Sequence, residues 1–373
     1  MVYRVIGLMS GSSLDGLDIV YTQLQEIAGK WKYEIVCVAC YKYPVEWVDK
    51  LKGATALSAF EYQSLHTEYG HFIGQQINRF IGENDLHYKV QLIASHGHTT
   101  FHVPAKKMTA QLGDGAAIAS VTGINVISDL RAMDMAFGGQ GAPIVPIGEK
   151  LLLDNYDLFL NLGGIANLSY SKIDQYIAFD VCPANRVLNM LANEEGKDFD
   201  DKGAMAATGS VNLLLLEKLN RLEYYSLPYP KSLANDFGIN VVYPIILDSG
   251  CTIPDGLRTC VEHVALQIKK AIEAVFPNRS QSSADKPQTT NYKLLATGGG
   301  VYNAFLIQRL QDLLQPLQIE LVIPDTDLIN YKEALIMALI GVLRWREENN
   351  VLASVTGASR DSIGGAVWIG ENR

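Results

Sequence analysis

Apolar residues dominate positions 2–8, give way to a small-residue stretch from Ser10 to Gly16, and resume from Ile19 to Leu24. Two apolar runs joined by glycine and serine predict a β-hairpin. A third β run spans Ile35 to Tyr43. From Val45 to Phe80 the apolar positions take helical spacing, and Phe60 to Phe80 predicts a long amphipathic helix. Val90 to Ala94 is expected to be a buried strand, followed by Ser95-His96-Gly97-His98-Thr99-Thr100-Phe101-His102. Gly115 to Val121 predicts a helix, Ile124 to Ile127 a strand, and Ser128 to Pro146 a loop broken by Gly138, Gly139, Gly141 and Pro143.

The second half repeats the alternation. A hairpin is expected over 158–170, a strand over Tyr176 to Phe179, helices as far as Tyr225, and a helix from Leu257 to Val275. Residues 277–291 are polar and predict a surface loop. A strand then meets Gly298-Gly299-Gly300, which opens a helix, and Lys332 to Glu348 predicts another. Strand and helix alternating in this way make the chain α/β. At 373 residues, and with about 150 residues per domain as a prior, two domains are expected. Their expected limits are 1–150, rejoined by 355–373, and 151–354.

The turns carry the candidate chemistry. Gly11, Ser12, Ser13 and Gly16 offer backbone N–H groups and hydroxyls, with Asp15 and Asp18 beside them. Such a turn can cradle phosphate, and a nearby carboxylate can hold the magnesium that travels with a nucleotide. Asn161-Leu162-Gly163-Gly164 repeats the layout in the second half, and Gly298-Gly299-Gly300 forms a third cluster. None is a Walker loop or a Rossmann fingerprint. Each glycine also has a plain explanation, a backbone needing positive φ.

Composition narrows the partners. Hydrophobic residues make up 48% and charged residues 19%, enough for a sizeable core. A net charge of −9 argues against a nucleic-acid surface. No apolar stretch approaches the roughly 18 residues needed to span a bilayer, and the start does not have the layout of a signal peptide. The five cysteines are odd in number and scattered, so a reducing compartment, the cytoplasm, is expected. Cys37-x-x-Cys40 lies in a strand pattern and is expected to be structural. His96, His98 and His102 lack a carboxylate or cysteine at ligand spacing, so zinc is not expected there. A homodimer is left open.

The ordered trio of turns resembles the sugar-kinase, actin and heat-shock-chaperone superfold, a two-domain actin-like ATPase fold (a duplicated ribonuclease H-like unit) with a nucleotide cleft between domains. More closely, the chain resembles the anhydro-N-acetylmuramic acid kinase family. The carrying segments are Gly7-Leu8-Met9-Ser10-Gly11-Ser12-Ser13-Leu14-Asp15-Gly16, Ser95-His96-Gly97-His98, Gln111-Leu112-Gly113-Asp114 and Ser128 through Pro143. Asn161 through Asn167, the Asp200…Gly203…Ala206…Gly209 series, Pro230-Lys231-Ser232, Glu333-Ala334 and Thr356-Gly357-Ala358 follow in the family's order. The resemblance implies ATP-dependent opening of a 1,6-anhydro amino sugar with phosphorylation at O6, in peptidoglycan recycling. ATP and magnesium are the implied cofactors.

That reaction needs a carboxylate as general base for water. Asp180, at the end of a strand, is the position where the family carries its base, and Asp134 is the second candidate. Arg131 could bind the sugar's own carboxylate or pair with Asp134. His96 is expected to orient sugar or loop. Glu333 could bind sugar hydroxyls or simply favour a helix N-terminus. Gly11, Ser12, Ser13, Asp15, Gly16 and Asp18 would meet phosphates and magnesium, as would Asn161, Gly163 and Gly164 from the other domain. Gly298, Gly299 and Gly300 would face adenosine.

Three departures stand out. Cys182 and Ala184 replace the family's usual glycines after Asp180, Asn189 stands where an acid is usual, and His98 replaces a glutamine. They leave two alternatives open: a kinase of this fold acting on another sugar, and a catalytically silent ATP-binding regulator.

Overall fold

The computed structural model describes residues 1–11, 14–172, 175–229, 231–233, 236–275 and 292–371. It divides into two compact units, Met1–Asp154 with Tyr331–Arg373, and Asn155–Asn330. The return to the first unit thus begins at Tyr331, inside the helix Thr326–Trp345. The expected return near residue 355 was too late, because that helix reads as one continuous apolar pattern with no break to mark the boundary. The polar stretch 277–291 lies outside the described residues.

In the first unit β1 (Val2–Ser10), β2 (Leu17–Ile27) and β3 (Lys30–Tyr41) form an antiparallel meander. β4 (Leu92–Val103) lies parallel to β1 on its free side and pairs with β5 (Met108–Leu112), and β6 (Val126–Ser128) lies parallel to β4. In the second unit β7 (Leu158–Leu162), β8 (Ile165–Lys172) and β9 (Gln175–Pro183) form a second meander. β10 (Tyr292–Thr297) is parallel to β7, and β11 (Ile319–Val322) parallel to β10. The sheet orders β3-β2-β1-β4-β6 and β9-β8-β7-β10-β11 are one plan used twice, with β12 (Ala366–Trp368) added beyond β6. This is the duplicated ribonuclease H-like arrangement of actin-like ATPases. Both glycine hairpins therefore join equivalent strands.

The helices follow from their spacing. Ser58 and Glu61 form a capping box that starts Ala59–Glu83. Leu65, Tyr69, Ile73, Ile77 and Ile81 recur at four-residue intervals on its buried face. The run from Val45 breaks into two helices, Val45–Gly53 and Ala59–Glu83. Gly7 in β1 allows the helix Thr326–Trp345 to lie directly on the sheet: a Cβ there would sit 2.0 Å from the Ala334 carbonyl oxygen. Gly341 makes the same close approach to Ala94 of β4, at 2.5 Å. Among the described residues no helix is long and apolar enough to cross a membrane.

Candidate active site

Ser12 and Ser13 lie outside the described residues. Gly16 is required by packing, since a Cβ would fall 2.7 Å from both Cys40 Sγ and the Tyr41 carbonyl oxygen of β3. Asp15 is exposed, whereas Asp18, in β2 opposite Cys40, is half-buried. Burial pushes the Asp18 carboxyl up to about 6, against a lowering hydrogen bond from Cys40, and the negative charges of Glu333 and Asp15 add to the rise. A cation would relieve that crowding. No cluster of three potential metal ligands occurs among the described residues. Magnesium needs none, because it takes one or two carboxylates and completes its shell with phosphate and water. Asp15 and Asp18 therefore fit the ion.

Glu333 is delivered by the close approach at Gly7. It lies two turns into its helix, so the expectation of a helix-start charge is corrected. Burial raises its carboxyl, opposed by Lys332 and Arg131. Lys332 itself is tied to Glu149 by a buried ion pair of 2.9 Å. Arg131 is anchored through two of its nitrogens: Nε donates to the Gly141 carbonyl at 2.6 Å and one terminal nitrogen to Thr99 Oγ1 at 3.1 Å. The same Thr99 hydroxyl accepts from Gln111 Nε2 at 3.3 Å. The guanidinium is thus locked in orientation.

His96, His98 and His102 lie within β4 and not after it, because the strand continues past Ala94 to pair with β5. His96 is 4% exposed, and its Nδ1 donates to the Gly97 carbonyl at 2.8 Å. Burial, with the Arg131 charge, pushes its pKa down to about 3. The ring is neutral and Nε2 is an acceptor.

Asp134 is enclosed by its own loop and by Thr356. Fully buried in the short helix Ala132–Ala136, it accepts from the Gly141 N–H at 2.7 Å and from Thr356 Oγ1 at 2.7 Å. Gly139 closes over it so tightly that a Cβ would sit 2.2 Å from Oδ2. Both oxygens are committed, and Arg131 donates to Gly141 and Thr99 in place of the pairing with Asp134 that its spacing allowed.

In the second unit Asp180 lies within β9, opposite Asn167 at a bulge that leaves Val181 as the extra residue. Its Oδ1 accepts from Asn167 Nδ2, and Oδ2 from the Leu233 N–H at 2.7 Å and Ser232 Oγ at 3.2 Å. The Tyr224 hydroxyl donates to its carbonyl at 2.7 Å. Burial nevertheless raises the carboxyl above its ordinary value, outweighing the donors that lower it. It is a carboxylate held in one orientation yet more basic than a free one.

The glycines of this unit separate into two groups. Gly298 has φ +84° and crowds Asn161 Oδ1, and Gly300 crowds Leu162 and Asn185, so the fold requires both. At Gly163, Gly164 and Gly299 an added Cβ would meet nothing closer than 3.4, 3.6 and 3.8 Å respectively. Protein packing does not demand their smallness, and a nucleotide cradle fits it. The carbonyls of Gly163 and Gly164 accept from the Asn185 and Ala184 N–H groups at 3.1 and 2.8 Å, tying this turn to the start of the helix Asn185–Asn193.

Residues 3–370 match the family model for anhydro-N-acetylmuramic acid kinase. Curated relatives bearing that name include those of Haemophilus influenzae, 31% identical over 97% of each chain, and Vibrio cholerae, 32% identical over 97% of each. That of Sulfurovum sp. is 32% identical over 98% of this chain and 99% of its own. The chain belongs to the anhydro-N-acetylmuramic acid kinase family.

The departures from the family's usual residues are accommodated. Cys182 pairs with Ala166 in β9, and Ala184 has φ −130°, so neither position needs the left-handed backbone that a glycine would supply. Asn189 is exposed on its helix. The groups that hold Asp180 (Asn167, Tyr224, Ser232 and Leu233) were not singled out from the sequence. The family motif Pro230-Lys231-Ser232 pointed at the segment but not at its contact.

Proposed function

We propose that this chain is an ATP-dependent kinase that opens the 1,6-anhydro bridge of 1,6-anhydro-N-acetylmuramic acid with water and phosphorylates O6. The observation that carries the reading is Asp180: a carboxylate aimed by three hydrogen bonds and made more basic by burial, in a chain of this family. Asp180 takes a proton from water as the water oxygen bonds to C1. The C1–O6 bond breaks, and O6 takes the γ-phosphoryl group as ADP leaves. N-Acetylmuramic acid 6-phosphate is the product, and the proton on Asp180 returns to solvent.

Arg131, fixed by Gly141 and Thr99, presents its remaining N–H groups to the substrate's lactyl carboxylate. Glu333 and neutral His96 accept from sugar hydroxyls. Gly11, Ser12 and Ser13 receive the phosphates of ATP, and Asn161, Gly163, Gly164 and Gly299 complete the nucleotide contacts. Asp15 and Asp18 would hold magnesium, which would supply charge neutralisation at the phosphates. A cytoplasmic location follows from this reading, because ATP is available there.

ADP release measured with and without the anhydro sugar tests the activity: release that ignores the sugar overturns it in favour of an ATP-binding regulator. In heavy-oxygen water the label should enter the anomeric hydroxyl and not the phosphate. Label in inorganic phosphate would mean simple ATP hydrolysis.

Asp18 makes a second prediction. Its carboxyl titrates near 6 in the folded protein against 3.8 when free, so between those values the native state holds a proton that the unfolded chain has lost. Stability therefore falls as pH rises through that window. Asp18→Asn should raise Tm well above pH 6, leave it unchanged below pH 4, and increase the magnesium needed for half-maximal turnover. Unchanged magnesium dependence would remove Asp18 from the metal site.

A further inference from the structure

A chain of buried hydroxyls runs behind the first hairpin and is not used by the reaction as described. Tyr69 is fully buried, and its hydroxyl lies 2.6 Å from that of Tyr43. The Tyr43 hydroxyl donates to Ser10 Oγ at 2.8 Å, and Ser10 Oγ lies 3.1 Å from His98 Nδ1. Each hydroxyl has one proton to give. With Tyr43 donating to Ser10, the arrangement that uses each proton along the chain has Tyr69 donate to Tyr43 and Ser10 donate to His98, with Nδ1 as the acceptor. Burial lowers the pKa of His98, so the ring is neutral and its proton sits on Nε2.

The location gives that N–H a use. Ser10 is the last residue of β1, and His98 is its register partner in the parallel strand β4. Ligands in open α/β sheets gather beyond the carboxyl ends of such strands, and the glycine hairpin begins at the next residue, Gly11. His98 is 5% exposed, yet Nε2 is not among the buried atoms lacking a partner and has none among the described residues. That nitrogen therefore faces accessible space.

We propose that His98, held as its Nε2–H tautomer by the Tyr69–Tyr43–Ser10 chain, donates a hydrogen bond to a terminal phosphoryl oxygen of bound ATP. The proposal rests on the nucleotide reading above and adds a binding residue to it. A glutamine at this position would present a neutral N–H donor in the same way.

The full chain labelled with nitrogen-15 in its seven histidines tests this by NMR, the His98→Gln spectrum giving the assignment. The Nε2–H tautomer should be seen without ligand. The Nε2 resonance should move when a non-hydrolysable ATP analogue binds, and Ser10→Ala should mix the tautomers. In turnover, His98→Ala should lose about a hundredfold in kcat, the usual cost of one preorganised donor, with KM for the sugar unchanged, and His98→Gln should recover to within a few-fold. An Nδ1–H ring overturns the proposal. So does a ring indifferent to an analogue that calorimetry shows to be bound, or equal losses in the Ala and Gln variants. If the analogue binds and moves His98 while no anhydro sugar is consumed, the substrate reading fails and the His98 assignment stands.

Discussion

Asp180→Asn will bind ATP and sugar with little change yet turn over about two to four orders of magnitude more slowly, the usual range for loss of a general base. The fold should tolerate the change. The new amide oxygen can keep the Leu233 N–H and Ser232 as donors, while the Asn167 amide turns over to accept from the new NH2 group. What is lost is the lone pair that takes the proton. Calorimetry for binding and stopped assays for turnover separate the two quantities. Near-normal turnover would remove Asp180 from the mechanism, and a collapse of nucleotide binding would mean that the carboxylate is structural.

Asp134→Ala should do something different: unfold the protein more easily. The substitution removes two hydrogen bonds to a buried side chain and leaves the Gly141 N–H without an acceptor, at a cost of about 3 kcal/mol. Thermal and denaturant unfolding should both report the loss. Because Gly141 also accepts from Arg131 Nε, KM for the sugar should rise as the loop loosens. Turnover in the folded fraction should fall far less than for Asp180→Asn. A variant of unchanged stability whose kcat drops a thousandfold would return the base to Asp134.

The two carboxylates show how far local sequence can be trusted here. Both had plausible neighbours in the sequence, and the Arg131-x-x-Asp134 spacing invited an ion pair. The tertiary structure instead gives each residue separate partners. Thr356 is 222 positions from Asp134, and Leu233 is 53 positions from Asp180. Nothing in the local pattern around either acid encodes such a donor. The three histidines tell a similar story. They were expected to follow the strand Val90 to Ala94, but pairing with β5 kept the strand going, since tertiary partners override weak local preference.

What the sequence determined by itself was whatever short-range periodicity and turn chemistry can encode. It carried the meander strands, the long helix from residue 59, both glycine hairpins and, through the order of its motifs, the family. Only the tertiary structure decided that the two sheets share one strand order, that the chain rejoins its first unit at Tyr331, and which glycines serve packing. Only it gave Asp134 and Asp180 their separate hydrogen-bond partners, and aligned Tyr69, Tyr43, Ser10 and His98 into one chain. The reason is physical. Hydrophobic period is a property of neighbouring residues, whereas burial and hydrogen-bond partners depend on which distant segments come into contact, and those two quantities set basicity, tautomer and charge at a site.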